Sequence, residues 1–186
     1  MTIPTTQMSV DTFDEWIFLP ENDGLSYEYI GGEIVEVVSN NYSSKIAFEI
    51  GFHIRLFMKE NNLEGHITGA DGGYVIAGER YIPDVAYISS ARQEKPSHEA
   101  YNSNHPDLAI EVMSPSDSDR NLRIKVANYL SVGTMVWVVR PDKKQIEVYV
   151  AGEKVRILNK KDKLDGGAVL KGFSLIVGDI FSEDVS

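Results

Sequence analysis

Apolar residues recur along this chain in two periods, and charged residues break into the apolar runs at a few positions. Phe13, Trp16 and Ile17 stand at i, i+3 and i+4 and predict a short helix over 12–19, after a loose leader over 1–10. Tyr27-Glu28-Tyr29-Ile30 and the run from Glu33 to Val38 read as a hairpin, because Gly31-Gly32 between them supplies the positive φ of a tight turn. In its second strand Ile34, Glu36 and Val38 share one face, and Glu33, Val35 and Val37 the other. From Ser43 to about Glu60 the period lengthens: Ile46, Ile50, His53, Ile54 and Phe57 fall on one helical stripe, with Ala47 and Leu56 beside it. Asn61-Asn62 ends that helix. Two strands over 65–77 and 80–89 follow, joined near Gly78-Glu79, and then a polar stretch over 90–106. A stretch of that length is either a lid or binding loop or a plain connector.

Leu108 to Met113 is a further strand, ending at Ser114-Pro115-Ser116. A helix over 117–132 comes next, with Ser116 as N-cap facing Asp119 in capping-box spacing and Gly133 as the stop. Met135 to Val139 reads as a buried strand and Gln145 to Val150 as an alternating one. The tail adds strand-like segments over 154–158, 169–170 and 172–177 around a Gly166-Gly167 turn. The central order is thus helix, strand, strand, strand, helix, strand, flanked by hairpins. It predicts an α/β (α+β) domain over 11–186 built around a mixed sheet.

Two acids sit where apolar strands should tolerate none: Asp84 in Ile82 to Ile88, and Glu111 in Leu108 to Met113. Strands of this kind are covered on both faces, and an unpaired carboxylate there costs several kcal/mol. Each must find a cation or take up a proton. In the helix after Glu111, Leu122, Lys125, Val126, Tyr129 and Leu130 form the inner stripe, so a lysine stands where an apolar residue belongs. Two carboxylates able to hold Mg²⁺ or Mn²⁺, with one ammonium to place water or counter phosphate charge, make a hydrolytic site. The alternative is a structural ion pair of Lys125 with Asp117, Asp119 or Asp84.

Composition narrows the choice. With no cysteine there is no disulfide or thiolate metal site. His53, His66, His98 and His105 lack the paired spacing of a zinc site, and neither a Gly-x-Ser-x-Gly elbow nor a phosphate-binding Gly-Lys-Ser/Thr loop is present. No apolar run approaches membrane-spanning length and the first residues lack a signal-peptide pattern, so the expected location is cytoplasmic. The net charge of -10 excludes a general polyanion-binding surface, which leaves nucleic-acid contact to a local patch or to metal ions.

Several motifs together carry a resemblance. Tyr27-Glu28-Tyr29-Ile30-Gly31-Gly32-Glu33, Pro83-Asp84-Val85-Ala86, the long run from Pro106 to Ser116, Lys125 with Tyr129, and Gly133 before Val136-Trp137-Val138-Val139 resemble the putative restriction endonuclease family abundant in cyanobacteria. That family lies within the PD-(D/E)XK nuclease superfamily, and the resemblance covers about residues 11 to 181. It implies a restriction-endonuclease-like fold and metal-dependent hydrolysis of DNA. Asp84, Glu111 and the backbone carbonyl of Val112 would hold Mg or Mn, and Lys125 would assist. Glu33 and Tyr129 are additional candidates. The superfamily's basic pattern carries its lysine two residues after the glutamate, where this chain has Met113. The resembling family commonly supplies it from the following helix, which matches Lys125. A scaffold that has lost catalysis and serves as an interaction protein is the alternative. Since a duplex has two strands and two-fold assemblies are the commonest oligomers, a homodimer is expected.

Overall fold

The computed structural model describes residues 8–115 and 117–182. Helix α1 (Val10–Trp16) opens the described chain, capped by Ser9, whose side chain accepts from the Thr12 N–H. It therefore starts inside the stretch expected to be a loose leader, of which residues 1–7 lie outside the described residues. The hairpin of β1 (Tyr27–Ile30) and β2 (Glu33–Glu36) follows, with Ile30 opposite Glu33 across the glycine turn. Helix α2 (Asn41–Glu60) begins two residues earlier than its apolar stripe suggests, because Asn40 caps it by accepting from Tyr42 and Ser43. It buries Ile46, Ile50 and Ile54 as expected, but Met58 is buried and Leu56 is exposed.

The two long strands expected over 65–77 and 80–89 are four: β3 (Gly65–Gly69), β4 (Gly73–Ile76), β5 (Glu79–Tyr81) and β6 (Val85–Ser89). Turn residues at Gly69 to Gly72 divide the first run. Pro83 divides the second, since it has no N–H to give to a ladder. The polar stretch over 90–106 contains one short strand, β7 (Tyr101–Asn102), parallel to β4. Then come β8 (Leu108–Val112), α3 (Asp119–Ser131), β9 (Met135–Arg140), β10 (Gln145–Tyr149), β11 (Arg156–Leu158), β12 (Lys163–Gly166), β13 (Leu170–Ile176) and α4 (Val177–Ile180). Ser116, expected to cap α3, lies outside the described residues. The cap is Ser118, whose hydroxyl accepts from the Asn121 N–H.

The strands form a mixed sheet in the order β11-β10-β9-β8-β6-β3, a second sheet β2-β1-β5-β4-β7 and the β12-β13 pair. Along the large sheet the expected order reappears as α2, β3, β6, β8, α3, β9, with β4 and β5 as an excursion into the second sheet. Side chains of β6, β8 and β9 alternate between two faces. Val85, Tyr87, Ile110, Val112, Trp137 and Val139 pack with α2 on one of them. Ala86, Ala109, Val136 and Val138 pack with Leu122, Val126 and Tyr129 of α3 on the other. Tyr81 and Ile30 join that second face, so α3 lies between the two sheets. No helix among the described residues is long and apolar enough to cross a membrane.

Candidate active site

The register of β6 against β8 fixes where the two strand acids go. Val85 stands opposite Ile110, and both face α2. One step further along, Asp84 and Glu111 therefore turn to the α3 side. Both line a cleft of about 230 Å³ between the end of the large sheet, the first hairpin and α3. Asp84 precedes β6 by one residue and is tied to β8, because the Val112 N–H donates to its Oδ2 at 2.7 Å. No donor among the described residues meets its other oxygen.

Lys125 on the inner stripe of α3 reaches the same cleft. Its Nζ donates to Glu111 Oε2 at 2.6 Å and to Glu28 Oε1 at 2.8 Å, and it stands 5.6 Å from the centre of the Tyr81 ring. The Tyr129 hydroxyl, one turn on, donates to Glu111 Oε1 at 2.9 Å. Glu28, Tyr81, Glu111, Lys125 and Tyr129 are all buried. The structural pairing weighed for Lys125 with Asp117, Asp119 or Asp84 is thus replaced by a pairing with Glu28 and Glu111.

Glu28 is the residue that motif reading passed over as a site acid. It lies on β1 beside Ile30 on the inward face, and the Ile82 N–H donates to its Oε1 at 2.6 Å. Its signal is its position: an acid two residues from an apolar Ile, on the face that an antiparallel strand buries. Glu33, the third acid chosen from the hairpin, is exposed and pairs with Arg120 at 3.3 Å instead of lining the cleft. Met113 lines the cleft but brings no charge to it.

The electrostatics follow from counting. Among the described residues, Glu28, Glu36, Asp84, Glu111 and Asp117 line the cleft against one cation, Lys125. Burial pushes the Asp84 carboxyl up to about 6, against the opposing pull of the Val112 N–H and Lys125. Burial also raises Glu111, with Lys125 opposing and the nearby acids Glu28 and Asp84 adding to it. Lys125 loses by burial but is raised overall by Glu111 and Glu28, so it stays an ammonium. Burial first, then Glu111 and Glu28, hold Tyr129 protonated.

Could these residues hold a metal? Among the described residues no group of three or more His, Cys, Asp and Glu side chains is spaced to enclose an ion. A hard divalent cation does not require one, since Mg²⁺ is typically held by one or two carboxylates with water and phosphate oxygens completing its shell. Asp84, Glu111 and the Val112 carbonyl are an all-oxygen set of that kind, with no imidazole or thiolate in the cleft. The chemistry of the donors fits Mg or Mn.

A consequence can be measured without any substrate. Asp84 is raised from an ordinary value of 3.8, so its favourable contribution is full below that value and is lost as pH rises through about 6. At neutral pH its ionised form is a burden on the metal-free fold, on the order of 2 kcal/mol. Asp84→Asn keeps an acceptor for the Val112 N–H without the charge. It is expected to melt several degrees above the parent at pH 7.5 with chelator present, the gap closing below about pH 4. Adding Mn²⁺ should raise the parent's melting temperature and leave the variant's unchanged. Equal melting curves across that range would contradict the reading that burial raises the Asp84 carboxyl.

No curated protein matches the sequence. A crystal structure of a putative nuclease belonging to DUF820 from Anabaena variabilis ATCC 29413 superposes with a TM-score of 0.80, covering 94% of this chain and 97% of that one. The two are 20% identical, so the likeness speaks for the fold, which is restriction-endonuclease-like as expected. The model of the Uma2 family, described as a putative restriction endonuclease, matches residues 10–178, and the chain belongs to that family.

Proposed function

We propose that the protein is a Mg²⁺- or Mn²⁺-dependent endonuclease acting on DNA phosphodiester bonds. The observation that carries this reading is the acidity of the cleft, where five carboxyl groups among the described residues face one ammonium on an all-oxygen donor set. A divalent cation would relieve that imbalance and supply Lewis acidity toward the phosphate. Asp84, Glu111 and the Val112 carbonyl would hold it. Tyr129 and Lys125 fix the two Glu111 oxygens, and Glu28 anchors Lys125 from the opposite sheet. Because its two carboxylate partners keep Lys125 protonated, it acts as a fixed positive charge and a donor, not as the base that takes a proton from water. The family and the nuclease neighbour support the reaction class.

The test is cleavage of supercoiled, linear and single-stranded DNA by the purified protein. Nicking or linearisation is expected with Mg²⁺ or Mn²⁺ and none with excess chelator. A parent that binds metal yet leaves every DNA form intact would overturn the reading. The ion pairing of Lys125 with both Glu28 and Glu111 favours one second reading, a binding protein on a nuclease-like scaffold. That outcome of the assay would promote it.

A further inference from the structure

A second groove, of about 740 Å³, adjoins the first and shares Ser39 and Asp84 in its lining. It runs between α2 and β3, the edge strand of the large sheet. Phe48 and Phe52 stand one helical turn apart on its α2 wall and are 74% and 52% exposed. Gly51 on α2 and Gly65 and Gly69 on β3 line it together with Ala47, Ile67 and Val85. Arg55 lines the groove as well, and its side chain forms no ion pair or hydrogen bond among the described residues. None of these residues takes part in the metal-site chemistry proposed above.

We infer that this groove receives an unpaired nucleobase next to the phosphate that the proposed metal ion would meet, with Phe48 and Phe52 as its stacking platform and Arg55 facing the adjoining backbone. The inference rests on the nuclease reading, which places a metal-bound phosphate beside Asp84, and it adds the substrate class: strands with at least one base out of the duplex. Three features argue for that occupant. The groove adjoins the proposed site, with Ser39 and Asp84 in the lining of both, so neighbouring parts of one strand could reach the two. Its walls combine exposed aromatic faces with one guanidinium that pairs with no described residue, the combination that single-stranded nucleic acid uses for stacking and backbone contact. The base itself is neutral and can stack there, while Arg55 and the proposed metal ion offset the charge of the backbone.

The test uses the full chain and a Phe48→Ala/Phe52→Ala double variant, whose exposed positions spare the core. Anisotropy is read with Mg²⁺ on cleavage-resistant phosphorothioate DNA, as a single strand of about 12 nucleotides, as the blunt duplex, and as a duplex with one bulged base. The double variant is expected to lose about tenfold or more in affinity for the single strand and the bulged duplex, with the blunt duplex unchanged. A 2-aminopurine placed at the bulge should be quenched by the parent and not by the variant. Unchanged single-strand binding overturns the inference, as does an equal loss on all three DNAs. So does a fall from dimer to monomer mass with DNA affinity intact, which would make the groove an interface between copies. Cleavage is scored separately: a parent that cuts DNA while the variant binds as well as it does sinks this inference alone. A parent whose binding depends on the two phenylalanines but which never cuts sinks the nuclease reading alone.

Discussion

Lys125→Met is expected to cost the fold about 3–5 kcal/mol at neutral pH, a drop of roughly 10 °C or more in melting temperature. Methionine fills much of the lysine stem, so the loss is electrostatic. It leaves Glu28 and Glu111 facing each other with side chains only 8% and 9% exposed and no cation between them. Removing the buried ammonium does recover its desolvation cost, but two uncompensated carboxylates outweigh one recovered penalty. Glu111, already raised by burial, would respond by taking up a proton, so its folded value rises further above the ordinary one. Stability so linked is present at low pH and lost as pH rises, and the gap between variant and parent should narrow toward pH 4. Adding Glu28→Gln to Lys125→Met should recover part of the loss, because one of the two stranded charges is gone. Urea unfolding of the three proteins at pH 5 and pH 8 measures this, and a Lys125→Met protein as stable as the parent at pH 8 would contradict it. The result also governs how any rate measured on a Lys125 variant is read, since the residue holds two sheets and a helix together.

That dependence on Lys125 shows what a linear reading reaches. Asp84, Glu111 and Lys125 were legible because each violates the apolar pattern of its own element, and a charge in a buried stripe must be compensated somewhere. Their meeting was legible too, because one short connection joins β8 to α3. Glu28 was not, for two physical reasons. The strand Tyr27 to Ile30 is so short that Ile30 alone marks the face Glu28 shares, and the partners that bury it, Lys125 and the Ile82 N–H, lie 97 and 54 residues away. Glu33 drew attention through the family resemblance, which carries a glutamate after the hairpin glycine, and it lies exposed, outside the cleft lining, paired with Arg120. The fold was read well where period and length agreed, as in α2, α3 and β8. It was misread over 65–89, where one proline and one turn send β4 and β5 into the other sheet.

Glu111→Gln separates the site's charge from its architecture and carries the largest expected effect on turnover. Glutamine has nearly the same shape, and its amide oxygen can still accept from Lys125. Lys125 keeps Glu28 as a charged partner at 2.8 Å, so no buried ammonium is stranded. Burial already raises Glu111 above the ordinary carboxylate range, which means that its charge is not what the metal-free fold gains from. The metal-free variant is therefore expected to melt within a few degrees of the parent at pH 7.5, in contrast to Lys125→Met. What it loses is one of the two carboxylates proposed to hold the ion. Stabilisation of the fold by Mn²⁺ should disappear, and DNA cleavage should fall on the order of 10²-fold or more, the scale seen when one preorganised electrostatic contact is removed from a site. Raising Mg²⁺ should restore the rate to the extent that the variant's defect is weakened binding of the ion. The measurements are a thermal melt with and without Mn²⁺ and a cleavage time course on the same preparation. A Glu111→Gln protein that cuts DNA at the parent's rate would show that Glu111 serves only to pair Lys125, and would return the cleft to a structural role.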